Sequence, residues 1–440
     1  MGAKTSLFLL AALCLVLGIA RSERALPTSA GGKSVEINFW NGFTGPDGRV
    51  MLEIVRRFNE EHVGQAHVTM QRIAWATYYN KVMVSALNAR GPDVFVLQAQ
   101  SLSRKDRAGI VDSVDDVFDS DPKLLADFDE SLLDRVNFGT RGQPRRIGVP
   151  LDIWPHGLYY NAEMLKSVGL TNPDGTARAP QTRDEFLRAA DQLKHDGQWG
   201  FAFGNWAYNF MTLVPQFGGR LVDDAGNPTL DDPGNVAALQ FLADLLLKYH
   251  VAPPPEGGVA GWTGFRQQRV AMVFDGIYML GDLKRLDDRL DNPFYRAAPI
   301  PQLGSKPGTM ADSHVLCIRK GLTSDHRDAA KTFVRYVSDH SIDWANAGQV
   351  PARRSARESD AFKKLTAQYE FSRQLPYVMY PPRTPSFSEL QNAINLAVEK
   401  AIRGRASAAD ALRAAQEDYT RYLERDRMER EFTAHQEVAP

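Results

Sequence analysis

From residue 34 to residue 98 the apolar positions change spacing repeatedly. SVEINFW (34–40), AHVTMQRI (66–73) and PDVFVLQ (92–98) are short, β-prone and strand-like. Between them, Val50, Met51, Ile54, Val55 and Phe58 fall on one face of a helix over 46–62, with Pro46 suited to its first turn, and 75–90 forms a second helix. Strand–helix–strand–helix–strand at this spacing predicts a parallel α/β layer. The acidic segment 113–138 is predicted helical. Beyond Asn161 helices dominate. Thr182 and Glu185 form a capping box, PGNVAALQFLADLLLKYHV (233–251) follows, and 386–404 and 407–425 are long and amphipathic. Pro/Gly-rich breaks fall at 171–180, 252–264 and 299–309, and the charged segment 426–440 is expected to be a frayed, flexible tail.

One stretch does not fit a simple strand. VPLDIWPHGLYYN (149–161) has strand-like runs at Val149–Ile153 and Gly157–Tyr160, joined through Trp154, Pro155 and His156. It carries more rings and polar groups than core packing alone explains.

At 440 residues the chain is expected to form at least two domains. Its 52 basic and 53 acidic residues give a net charge of −1, with no long basic run, which argues against a nucleic-acid partner. Lys4 followed by the apolar run Leu7–Ile19 and the small residues Gly18 to Ala20 reads as a signal peptide over 1–20; an uncleaved anchor is the alternative. Leu13 before Cys14 disfavours a lipoprotein. Cleavage after Ala20 leaves Cys317 as the single cysteine, read as a small buried hydrophobe, so the core alone must hold the exported chain together.

Phosphate-binding loops, HExxH, CxxC pairs and a GxSxG elbow are missing, and no histidine spacing indicates a metal site. What recurs is rings beside hydrogen-bonding groups at predicted strand ends. Trp40, Asn41, Phe43 and Thr44 follow the first strand. Trp75, Tyr78 and Tyr79 follow the second, and Gln98, Gln100, Ser101 and Ser103 the third. Asp152, Trp154 and His156 form one further cluster, and Asn205, Trp206 and Tyr208 another. Ligands of open α/β sheets bind beyond the carboxyl ends of strands. Rings with fixed amides, hydroxyls and carboxylates suit a sugar, whose C–H faces stack while its hydroxyls need oriented partners.

FWNGFTGPDG, LEIVRRFNEEH, RGPDVFVL, VPLDIWPHGLYYNAEML, FGGRLVDDAGNPTLDDP, RVAMVFDGIYML, APIPQLGSKPGTMADSHVLCIRKG and GQVPARRSARES, in this order, resemble the extracellular solute-binding proteins of ABC importers. The family is the one similar to maltose-binding protein and its glycerol-phosphate and disaccharide relatives. The resemblance covers about residues 34–425. It implies an α/β, two-lobe periplasmic-binding-protein fold, each lobe discontinuous, with a hinge between them. Lobe one takes 34–148 and 300–348, and lobe two takes 149–299 and 349–425. Carried over, the ligand contacts are Trp40, Asn41, Phe43 and Thr44 in the first loop, Tyr78 or Tyr79 in the second, and Gln98 and Ser101 in the third. Gln98 stands where the family often has an aromatic. Asp152 and Trp154 lie at the first lobe crossing, Asn205 and Trp206 open the far wall, and Gly276 and Tyr278 match a Gly-x-Trp element. Asp312 and Ser313, with His314, replace a Gly-rich entry, and Arg353 matches a cleft-edge arginine.

The resulting expectation is a monomeric, non-enzymatic carbohydrate-binding protein. It is periplasmic or secreted, needs no cofactor or metal, and delivers a mono- or oligosaccharide to an inner-membrane ABC permease. Two alternatives stay open. A polyol phosphate ligand, such as glycerol 3-phosphate, needs a cleft cation, for which Arg353 is the candidate. A secreted glycan-active hydrolase needs two carboxylates roughly 5–10 Å apart across the cleft.

Overall fold

In the computed structural model, which describes residues 34–87, 91–140, 142–195, 197–254, 260–287 and 293–437, the strands sort into two sheets. Residues 1–20, predicted to be a signal peptide, lie outside the described residues. The first sheet contains β1 (Val35–Asn41), β2 (Ala66–Arg72), β3 (Val94–Gln98), β4 (Val149–Pro150) and β10 (His314–Ile318), in the order β2-β1-β3-β10-β4. The three N-terminal strands are parallel, and β10 runs antiparallel to β3 and β4. Side chains alternate across it. Val94, Val96, Leu316 and Ile318 enter one apolar layer, while Phe95, Leu97, Val315 and Cys317 enter the other. Both faces are therefore covered, as a largely parallel sheet requires. Cys317 is a free, buried thiol, as its surroundings predict.

The second sheet contains β5 (Asp152–Asn161), β6 (Trp199–Phe203), β7 (Val270–Gly276), β8 (Tyr295–Ala298), β9 (Thr309–Asp312), β11 (Val350–Pro351) and β12 (Val378–Met379), organised around β5. All ten residues of β5 are buried. Different partners cover successive parts of it: β11 at Asp152 and Ile153, β9 at Trp154 and Pro155, β7 from His156, and β8 from Leu158. The predicted break at Trp154–His156 is thus one continuous strand. The chain changes sheet at Leu151, between β4 and β5, where Leu151 N–H donates to the His314 carbonyl at 2.8 Å.

The second lobe's core takes in β5 to β8 and the helices Arg183–Gln192, Trp206–Leu213, Pro233–Leu247 and Phe387–Ile402. Ile300, Leu303 and Met310 also pack there, whereas Ala311 and Leu316 pack in the first core. The return to lobe one therefore lies near Asp312 rather than at residue 300. The chain passes between cores again from Ala345 to Ala352.

Thr182 caps its helix as predicted, its Oγ1 accepting from Glu185 N–H at 3.2 Å, while the Glu185 carboxylate accepts from Gln181 N–H at 2.8 Å. One further prediction holds in a broken form and another differs from expectation. The acidic region 113–138 forms three short helices, and the helix Ala408–Glu437 runs unbroken through the expected frayed tail. Asp426 holds Arg107 of the helix Leu102–Arg107 at 3.1 Å, which gives that end of the helix a partner in lobe one.

Candidate functional site

Five rings from both lobes converge. Trp75 starts the helix Trp75–Leu87 directly after β2, and its indole lies over Gly42, where any Cβ would sit 2.1 Å from the ring. It stacks on His314 at 5.6 Å and meets Phe43 edge-on at 5.8 Å. Asp152 orients His314, accepting from its backbone N–H at 2.9 Å and bonding its Nδ1 at 2.9 Å. The same carboxylate accepts from Trp344 Nε1 at 2.7 Å. Burial alone would depress the basicity of His314, but Asp152, Asp47 and Asp312 outweigh it and hold the imidazole above its usual range.

From lobe two, Trp154 on β5 packs against Tyr208 at 5.9 Å, Tyr278 at 5.7 Å and His314 at 6.2 Å. Tyr278 follows β7 at Gly276, where a Cβ would lie 2.0 Å from its ring, so only glycine allows this approach. Its hydroxyl donates to Asp275 Oδ1 at 2.9 Å. Burial pushes the Asp275 carboxyl up to about 6 and the neighbouring His156 imidazole down to about 3, so His156 is neutral.

These groups enclose a cavity of about 320 Å³. Thr44, Asp47, Trp75, Gln98 and His314 face Trp154, Tyr208, Tyr278 and Asp282 across it, with Gln349 between. Trp154 Nε1 and Gln349 Oε1 are buried here without a hydrogen-bond partner among the described residues. A second cavity of about 310 Å³ adjoins it, sharing Gln98 and Tyr208. Tyr79, Gln100, Ser101, Arg104 and Lys105 line one side of it, and Ser388 and Gln391 the other. Gln100 Nε2 donates across the boundary to the Tyr208 hydroxyl and, within its own lobe, to Gln98 Oε1, both at 3.0 Å. A larger groove of about 1130 Å³, lined by Tyr160, Arg178, Arg296 and Tyr377 among others, holds none of the predicted site residues. Among the described residues no group of His, Cys, Asp or Glu could hold a metal ion, and no helix is long and apolar enough to cross a membrane.

Of the predicted contacts, Thr44, Gln98, Trp154 and Tyr278 line the first cavity, and Tyr79, Gln98 and Ser101 the second. The others lie elsewhere. Trp40 sits in the outer layer of the first sheet with Lys81 over its ring at 5.2 Å. Asn41 is buried, its Oδ1 accepting from Phe43 N–H, and Phe43 packs beneath the ring cluster. The Tyr78 hydroxyl bridges two strands, donating to the Trp40 carbonyl at 2.8 Å and accepting from Val96 N–H at 3.1 Å. Asp152, Asp312 and Ser313 are buried outside the cavity linings; Asp312 Oδ2 accepts from Gln100 N–H at 3.1 Å. Gly276 supplies space rather than contact.

Asn205 caps its own helix through Tyr208 N–H at 3.2 Å, and Trp206 packs beside Arg403. Residues two apart on a helix point roughly 200° apart, so with Tyr208 in the cleft Trp206 faces away. Arg353 is held by Asp127 and Asp339 and does not line the cleft. Trp75, Gln100 and Tyr208 belong to the ring-and-polar clusters of the sequence but not to the positions that the resemblance carries over. Asp47, Asp282, Gln349, Lys105 and Gln391 carried no signal of ring or spacing.

Residues 53–369 match the family model described as bacterial extracellular solute-binding protein. An arabinooligosaccharide-binding protein of Halalkalibacterium halodurans is 24% identical over 236 residues, covering 51% of each chain. A second arabinooligosaccharide-binding protein, from Bacillus subtilis, is 22% identical over 285 residues and 63% of each. The chain thus spans about half to under two thirds of the length of these relatives. Among solved structures, the GacH receptor of Streptomyces glaucescens, determined unliganded and with acarbose, superimposes with a TM-score of 0.76 at 20% identity, covering 89% of this chain and 99% of that one. Two lobes around a ring-walled cleft, with the match over 53–369, show that this chain belongs to the bacterial extracellular solute-binding protein family.

Proposed function

We propose that the chain captures a saccharide between its lobes and presents it to an ABC permease. The observation that carries this reading is the cavity of about 320 Å³ walled by Trp75, Trp154, Tyr208, Tyr278 and His314. Rings from both lobes offer stacking faces to a sugar, and Thr44, Gln98 and Gln349 in the same lining offer hydroxyl and amide groups to its hydroxyls. A ligand touching both lobes favours the closed arrangement, which is what a permease would recognise. The names of the relatives, arabinooligosaccharide-binding proteins and an acarbose-binding receptor, support a carbohydrate ligand. Export to the periplasm or beyond, a monomeric state and the absence of catalysis belong to the same reading.

A melting-temperature screen with mono- and oligosaccharides, followed by product analysis, tests it. Stabilisation without turnover is expected. Turnover would place Asp47 and Asp282, which line the same cavity, in a hydrolytic role and overturn the binding-only reading.

A further inference from the structure

The two cleft cavities carry opposite charge. Among the described residues, the first is lined by Asp47 and Asp282, with His314 as its only basic side chain, and the second by Arg104 and Lys105 and by no aspartate or glutamate. In the second, the cations differ. Arg104 pairs with Glu389 at 3.2 Å, and its neighbour Arg107 pairs with Asp426 at 3.1 Å. Lys105 is only 4% exposed, and among the described residues its ammonium has neither a hydrogen-bond acceptor nor a carboxylate, only the Tyr79 ring at 5.3 Å. An ammonium withdrawn from water without a counter-ion is costly. Burial, reinforced by Arg104, lowers its basicity to about 8, which leaves it mainly charged at neutral pH.

From this juxtaposition we infer that the second cavity is an anion subsite, in which Lys105 recognises a carboxylate or phosphate group on the saccharide while the ring-walled cavity takes its neutral part. This rests on the saccharide reading above and narrows it to acidic sugars. Tyr79 holds the ammonium from one face, leaving its N–H donors for the ligand, and Ser101, Ser388 and Gln391 supply neutral partners around it. Gln100, bonded to Tyr208, stands at the junction, so a ligand occupying both cavities passes beside that bond.

Calorimetric titration of the protein with matched pairs tests the inference: glucuronate against glucose, galacturonate and digalacturonate against galactose, and glucose 6-phosphate against glucose. At least one charged member is expected to bind about tenfold or more tightly than its neutral counterpart, and whether the uronate or the phosphate does so identifies the anion. Lys105→Met should abolish that preference while keeping affinity for the neutral sugar, and should melt no lower than the parent. Lys105→Arg should keep the preference. Equal affinity within every pair overturns the anion subsite and leaves the saccharide cleft standing. A preference that survives in Lys105→Met also overturns it. No binding by any member overturns both readings.

Discussion

Asp152 shows how far a side chain's role can lie from its local pattern. A carboxylate beside Trp154 at a lobe crossing reads as a ligand contact, yet its partners are His314 and Trp344, 162 and 192 residues away. Nothing in VPLDIWPH reveals them, because the contact exists only once β10 and the following helices are in place. Asp152→Ala leaves His314 and the Trp344 indole N–H buried and unpaired, so a loss of about 3–5 kcal/mol is expected in chemical denaturation. Asp275 makes a different prediction. Its folded carboxyl is raised to about 6, so between pH 4 and pH 6 the native state holds a proton that the unfolded state has released. Stability therefore falls as pH rises through that window, by roughly 3 kcal/mol for a shift of about two units. Asp275→Asn keeps an acceptor for Gly276 N–H and the Tyr278 hydroxyl without the charge. Melting curves of parent and variant should converge at pH 4 and separate above pH 6, with the variant higher.

At the scale of elements, periodicity read the strands and amphipathic helices of the first lobe well, because each follows from a local apolar spacing. The orientation of polar side chains on short helices was less legible. On Trp206–Leu213 the sequence offers Asn205, Trp206 and Tyr208 together, and only the packing of that helix on Phe387–Ile402 turns Tyr208 into the cleft. Lys105 in LSRKDR carries no ring or spacing signal, and its burial beside the Tyr79 ring appears only in the folded chain. The helix positions make a paired test. Tyr208→Ala removes a cleft ring and should weaken saccharide binding at least tenfold in calorimetry, while Trp206→Ala, on the opposite face, should change it less than twofold. The reverse ranking would restore Trp206 as the stacking residue.

For the whole molecule, the question is what holds the lobes together before a ligand arrives. Beside the chain crossings Arg357 pairs with Asp129 and Arg383 donates to the Asp134 and Asn137 carbonyls, while at the two cavities three polar contacts span the cleft among the described residues: Gln100–Tyr208, Arg104–Glu389 and Arg107–Asp426. Both ion pairs are partly solvated, worth about 0–1 kcal/mol each, and a neutral hydrogen bond adds about 1 kcal/mol. Their sum is small enough for opening and large enough to bias the closed arrangement, so a ligand needs only a modest differential affinity to shift the population. Gln100→Ala combined with Arg104→Ala and Arg107→Ala removes all three without touching the Trp75, Trp154 and Tyr278 rings. In small-angle scattering the ligand-free triple variant should show a larger radius of gyration than the parent, and saturating saccharide should bring the two together. The same opening should appear in the parent as salt screens the two ion pairs, but only in part, since the Gln100–Tyr208 bond is uncharged. Identical ligand-free curves for parent and variant would mean that the backbone at Leu151, Asp312 and Ala345–Ala352, rather than these side chains, sets the angle between the lobes.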